Sequence, residues 1–209
     1  MAEQNMDSKA QKQQKEKLIQ EFCNLDLKNA TVDDVKVYLE KGVPIDTPDE
    51  FDETALVKTI RAKNKNVAEY LISKSANIYA TNVCGETTMM ICAKRGYLDF
   101  AQLLSENGYN INQMTPLTHQ SVLVLAIWNH RTKMVSWLVE NGANINTVDD
   151  TLWTPLMMAS YSGFTDIVEI LLKHKADPFK RNDKGMTALD LATFYHQDDV
   201  VVLLKNYME

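Results

Sequence analysis

The chain has little of what secreted, membrane or catalytic proteins depend on. Three cysteines in 209 residues are too few for a disulfide framework. Cys23, Cys84 and Cys92 also lack metal-site spacing, so reduced thiols are the fitting reading. Seven glycines are scattered at turns and gather in no loop that could cradle a phosphate. No apolar run approaches the ~20 residues needed to span a bilayer. Residues 1–17 are polar and hold no signal-peptide core. A cytoplasmic location without membrane contact is therefore expected, although a signal-independent export route leaves no mark in sequence. Positive charge is in deficit: 22 Lys and Arg face 28 Asp and Glu, a net charge of −6. That balance argues against a general nucleic-acid binder. The P-loop, nucleophile-elbow and His-Glu-x-x-His motifs are missing. No catalytic, cofactor-binding or metal-binding residue is assigned, and the chain is not expected to be an enzyme.

What the chain has in abundance is repetition. Leu71-Ile72-Ser73-Lys74-Ser75-Ala76-Asn77-Ile78 returns as Leu104 to Ile111, as Leu138 to Ile145, and as Leu171 to Pro178. The offsets are 33, 34 and 33 residues. A second phrase keeps the same beat: Thr54-Ala55-Leu56, Thr87-Thr88-Met89, Ser121-Val122-Leu123, Thr154-Pro155-Leu156 and Thr187-Ala188-Leu189. A fixed period of this length implies stacked copies of one supersecondary unit. Each copy reads as hairpin loop, short helix, tight turn and longer helix. One position in the short helix is always small, at Thr59, Cys92, Ala126, Ala159 and Ala192. Small side chains there let neighbouring helices approach, so Cys92 reads as a packing residue and not as a reactive thiol.

These phrases resemble the ankyrin repeat family. Thr154-Pro155-Leu156-Met157-Met158-Ala159 is similar to its Thr-Pro-Leu-His-x-Ala start, and Gly163-Phe164-Thr165-Asp166-Ile167-Val168 with Leu171-Leu172 to its second helix. The resemblance implies an all-α, ankyrin-like repeat solenoid of about six helix-turn-helix repeats joined by hairpin loops. The repeats run over residues 17–48, 49–81, 82–114, 115–148, 149–181 and 182–209, forming one domain over 17–209. Residues 1–16 are polar and are expected to be a flexible lead-in, with a mixed-charge helical extension as the alternative. The departures from the family pattern are informative. The glycine after the first helix survives as Gly96 and Gly163 but is Lys63, His130 and His196 elsewhere. The glycine after the second helix becomes Ser75 and Lys175. A side chain forced to positive φ costs roughly 1–2 kcal/mol, so the second repeat is expected to be weaker than the middle of the stack. Histidine tolerates positive φ better than bulkier residues, which accounts for His130 and His196 without catalysis. The fourth repeat carries one extra residue near 114–119, placing His119 on the hairpin edge.

Members of this family grip protein partners through hairpin tips and the inner face of the first helix. Equivalent positions then align into columns. One inner column is Arg61, Lys94, Trp128, Tyr161 and Phe194; the next is Ala62, Arg95, Asn129, Ser162 and Tyr195. The hairpins contribute Glu53, Glu86, Gln120, Trp153 and Met186. The early repeats are charged in these columns and the later ones aromatic. A concave-face interaction with a protein partner follows as the expected function. Trp128, Asn129, Trp153, Tyr161, Met186, Phe194 and Tyr195 would hold an apolar segment, and Arg61, Lys94 and Arg95 would meet acidic groups. Rings packing on one another, and pairing of the basic residues with Glu53 and Glu86, are the structural alternatives. The expected role is adaptor or scaffold, with an inhibitor of a partner enzyme and a small-molecule binder as alternatives. The chain is expected as a monomer, with self-association through the rings as the other outcome. On this reading Trp128→Ala and Tyr161→Ala spare the fold.

Overall fold

The structure, a computed structural model, describes residues 2–114 and 120–209, with side chains from residue 10 onward. The extra residue expected near 114–119 falls in a stretch of which residues 115–119, His119 included, lie outside the described residues. Among the described residues the elements are twelve α-helices: α1 (Ala2–Cys23), α2 (Val32–Glu40), α3 (Ala55–Ala62), α4 (Lys65–Ser73), α5 (Thr88–Arg95), α6 (Leu98–Glu106), α7 (Val122–Trp128), α8 (Thr132–Glu140), α9 (Pro155–Ser162), α10 (Thr165–Lys173), α11 (Ala188–Phe194) and α12 (Asp198–Met208). β pairing among the described residues is limited to two isolated antiparallel bridges, Thr81–Thr87 and Met114–Ser121. Residues 2–16, expected as a flexible lead-in, form the first turns of α1, which is the helical alternative.

The chain divides into two units, one ending at Thr88 and the other running from Met89 to Glu209. In the first, α1 packs on α2, α2 on α4, and α3 on α4. In the second, α7, α9 and α11 form one layer and α8, α10 and α12 the other. The small positions of the short helices are buried in each unit, Thr59 in the first and the other four in the second. Thr59, Cys92, Ala126, Ala159 and Ala192 are all fully buried. Burial pushes the Cys92 thiol far up its titration scale, as suits an inert packing residue. Leu71, Leu104, Leu138 and Leu171, from the second helices, are also fully buried.

The repeated phrases have local causes. A Thr or Ser is the N-cap of α3, α7, α9 and α11: Thr54, Ser121, Thr154 and Thr187 accept from the backbone N–H groups of Val57, Val124, Met157 and Asp190. At Thr31 and Thr187 the third helical residue, Asp34 or Asp190, bonds back to complete a capping box. Four described hairpins are each closed by one Asp or Asn. Asp49, Asn82, Asp149 and Asn182 use Oδ1 to accept two backbone N–H groups at 2.9–3.0 Å, two and four residues on. Successive repeats are also laced edge to edge. Asp46 accepts from the Asn77 N–H, Asn112 from Asn144 and Asn146 from Asp177, at 2.7–3.0 Å.

The turns follow the expected columns. Lys63, His130 and His196 have φ of 62°, 48° and 56°, matching Gly96 and Gly163 at 72°. Ser75 and Lys175 adopt 64° and 65°, where Gly42, Gly108 and Gly142 stand in other repeats. A third column was not foreseen: Asp52 and Leu152 take 57° and 60° at the hairpin position filled by Gly85 and Gly185. Among the described residues the second repeat holds three such residues, the fifth two, and the fourth and sixth one each. The following repeat decides where a side chain fits. A Cβ on Gly163 would run into the Gln197 side chain, which donates to the Tyr161 carbonyl at 3.3 Å. His130 faces Phe164 instead and stacks flat on it, centroids 4.0 Å apart.

Two outcomes are expected. Leu152→Gly relieves the left-handed strain of an exposed side chain and gains about 0.5–1 kcal/mol, read by chemical denaturation. The second concerns acid. Backbone and side-chain hydrogen bonds from Thr31 and Thr187 hold Asp34 and Asp190 below the usual carboxylate range. Burial alone would raise Asp49 and Asp166, but their hydrogen bonds bring them below it too. A folded-state pKa that is depressed contributes stability above the unfolded value and loses it as pH falls through the folded one. Melting temperature should hold near neutrality and drop below about pH 4. Asp190→Asn should be less stable than wild type at pH 7, and this difference should shrink in acid.

Candidate functional site

The second unit brings together five of the residues expected to meet a partner. Trp128 ends α7, Tyr161 lies in the last turn of α9, and Phe194 and Tyr195 close α11. Trp153 is at the base of the hairpin before α9, its N–H bonded to Asp149 Oδ1 at 2.9 Å. Tyr161 is the hub. Its ring centroid lies 6.3 Å from Trp128, 5.5 Å from Trp153 and 4.4 Å from Tyr195, each nearly perpendicular. Phe194 extends the group, 5.0 Å from Tyr195. These are edge-to-face contacts, in which the positive edge of one ring meets the negative face of the next.

Contact among the rings does not hide them. Phe194 is 67% exposed, Trp128 44% and Tyr195 43%, while Tyr161 and Trp153 are half-buried. The rings thus pack on each other, and three of them also remain open to solvent. The two columns are also not separate, because Tyr195 of the second packs most closely on Tyr161 of the first.

The other expected residues are placed differently. Arg61 belongs to the first unit, where its guanidinium pairs with the Glu53 carboxylate, as the structural alternative had it. Lys94 is half-buried and Arg95 exposed, both in the last turn of α5. The Lys94 carbonyl accepts from Arg131 Nε at 2.9 Å. Asn129 is exposed at the C-cap of α7, its amide donating to the Leu125 carbonyl at 2.8 Å. Met186 is half-buried at the base of the last hairpin.

Sequence reading missed a polar cluster next to the rings' supporting turns. His130 stacks on Phe164, and its Nε2 is 3.0 Å from Asp166 Oδ1. Asp166 also accepts from Thr132 Oγ1 at 2.6 Å. The group ties the turn of the fourth repeat to the fifth, and its signal was a spacing of 34–36 residues between turn and helix start.

The family assignment now has independent support. The chain matches the model for ankyrin repeats in three overlapping segments, residues 23–115, 78–149 and 123–209. The chain belongs to the ankyrin repeat family, whose repeats are generally protein–protein interaction modules. It is similar to the putative ankyrin repeat protein FPV031 of fowlpox virus, 29% identical over 76% of this chain and 49% of the viral protein. It is 31% identical to the ankyrin repeat protein nuc-2 of Neurospora crassa, over 87% of this chain and 17% of that protein. A putative ankyrin repeat protein of Rickettsia bellii is 27% identical over 73% of this chain and 87% of its own length. The chain thus spans half or less of the first two relatives.

The geometry separates two substitutions that sequence had treated alike. Trp128→Ala removes one ring contact from an exposed position and should cost about 1 kcal/mol or less. Tyr161→Ala removes the hub and should cost about 2–3 kcal/mol. Urea unfolding of the two variants checks this order.

Proposed function

We propose that this chain is a cytoplasmic adaptor that binds a partner protein through the aromatic cluster of residues 128–195. The observation that carries this reading is the cluster's double character. Five rings are held in fixed mutual geometry, yet three of them keep more than two fifths of their surface open. Contiguous exposed apolar surface marks interaction sites, and Trp and Tyr are the commonest interface anchors. Rings held by one another lose little further freedom on docking, so less of the contact energy is spent on ordering. Lys94 and Arg95, in the last turn of α5, would meet acidic groups of the same partner. Phe194 and Trp128 are the anchors best placed for removal, because both are exposed and neither is the hub.

The test is capture from native lysate with wild type and a Trp128→Ala/Phe194→Ala variant shown by circular dichroism to be folded. A protein retained by wild type at least tenfold better than by the variant is the expected result. Equal retention of the same protein by both would move the interface off the rings.

A further inference from the structure

In two repeats the N-cap residue of the second helix reaches back over a glycine to the repeat before it. Arg131, which opens α8, donates from Nε to the Lys94 carbonyl at 2.9 Å. Its stem crosses Gly96 so closely that a Cβ there would stand 3.1 Å from Arg131 Cδ. Gln197, which opens α12, donates from Nε2 to the Tyr161 carbonyl at 3.3 Å across Gly163. Lys94 and Tyr161 hold the same repeat position, so one clamp is built from two residue types. The neutral Gln197 shows that the clamp needs no charge. Arg131 brings a positive charge and two further nitrogens, Nη1 and Nη2, and among the described residues neither meets a carboxylate. The dipole of α5 does not call for that charge, because Lys94 and Arg95 already stand in its last turn. Over residues 94–99 and 129–133, Lys94, Arg95, Arg131 and Lys133 face Asp99 as the one carboxylate of these two turns. Asp166, across from the second turn, is held by His130 and Thr132.

We propose that Arg131 is a preset fork for a carboxylate side chain of an acidic partner segment, with the exposed Arg95 adding to the attraction. This rests on the reading of the chain as a protein binder and names the residue that meets the partner's acidic group. The Nε bond to a backbone carbonyl fixes the plane of the guanidinium. The remaining N–H groups match the two oxygens of a carboxylate, a bidentate fit that an ammonium cannot offer. Because Gly96 leaves the stem its place, the fork is ordered before a partner arrives, and little freedom is lost on docking. The Arg131 stem crosses the residue next to Arg95, and a bound carboxylate would offset the repulsion between like charges so placed. A cationic segment would add to that repulsion, and an apolar one would leave it as it is. The net charge of −6 disfavours acidic segments over the chain as a whole, so a local basic excess selects where such a segment binds.

The probe is the peptide acetyl-Gly-Glu-Gly-Glu-Gly-amide, compared at low ionic strength with the same peptide in which glutamine replaces both glutamates. Binding is followed by NMR through the Arg131 Nε–H and Gly96 N–H signals. The glutamate peptide should bind about threefold to tenfold more tightly. Arg131→Gln should abolish that preference and stay folded, because Gln197 makes the same clamp in the last repeat. Lys205→Gln, which removes equal charge from an exposed position on α12, should leave the preference intact. Equal binding of the two peptides, or no movement of either signal, would overturn the proposal. An equal loss in Arg131→Gln and Lys205→Gln would overturn it as well, since overall charge alone would then be at work. Inorganic phosphate that moves the signals where the glutamate peptide does not would overturn the carboxylate assignment in favour of a phosphorylated partner. Capture with Trp128→Ala/Phe194→Ala separately decides whether the rings dock a protein, so the two readings fail by different measurements.

Discussion

A single helix pair of this length cannot bury its own apolar face, and that constraint governs everything else in the chain. Stacking is the solution, and stacking is possible only where helices come close. The fully buried column Thr59, Cys92, Ala126, Ala159 and Ala192 marks that requirement, because a large side chain at any of these positions would wedge the layers apart. Around it the long side chains Leu71, Leu104, Leu138 and Leu171 fill the space. Once the spacing between copies is fixed, every other position recurs in register, and surface residues fall into columns.

Two kinds of short polar device keep the register. One is internal to a repeat: Thr54, Ser121, Thr154 and Thr187 cap short helices, and Asp49, Asn82, Asp149 and Asn182 each close a hairpin by taking two backbone N–H groups. The other joins neighbours: Asn112 to Asn144 and Asn146 to Asp177 at the hairpin edge, His130 on Phe164 at the turns. Both spare the backbone the penalty of unpaired polar groups in loops that are partly covered.

Much of this was legible in sequence, for a physical reason. N-caps, small packing positions and left-handed turns are set by local chemistry, so Thr154, Ala159 and Gly163 announce themselves. His130 and His196 at turn positions were readable for the same cause, and their φ values agree. Leu152 was not, because a leucine at positive φ contradicts its own preference and only the hairpin around it imposes the angle. The packing of Tyr195 on Tyr161 was also hidden. Tyr195 is the C-cap of α11, and the direction of a ring at a helix end is fixed by its neighbours and not by its spacing. Arg61 shows a different case: its column gave no sign of which carboxylate would stand beside it, and the structure pairs it with Glu53, eight residues earlier on the hairpin.

The central claim is that the ring cluster on α7, α9 and α11 is the surface on which a protein docks. The most direct measurement is site-specific photo-crosslinking in cells, with a benzoyl-phenylalanine placed at position 194 or at the also exposed Val202 on α12. The account requires a discrete adduct with one protein from position 194 and none from 202. Adducts from 202 with none from 194 would contradict it, and would place the interface on the outer layer of helices.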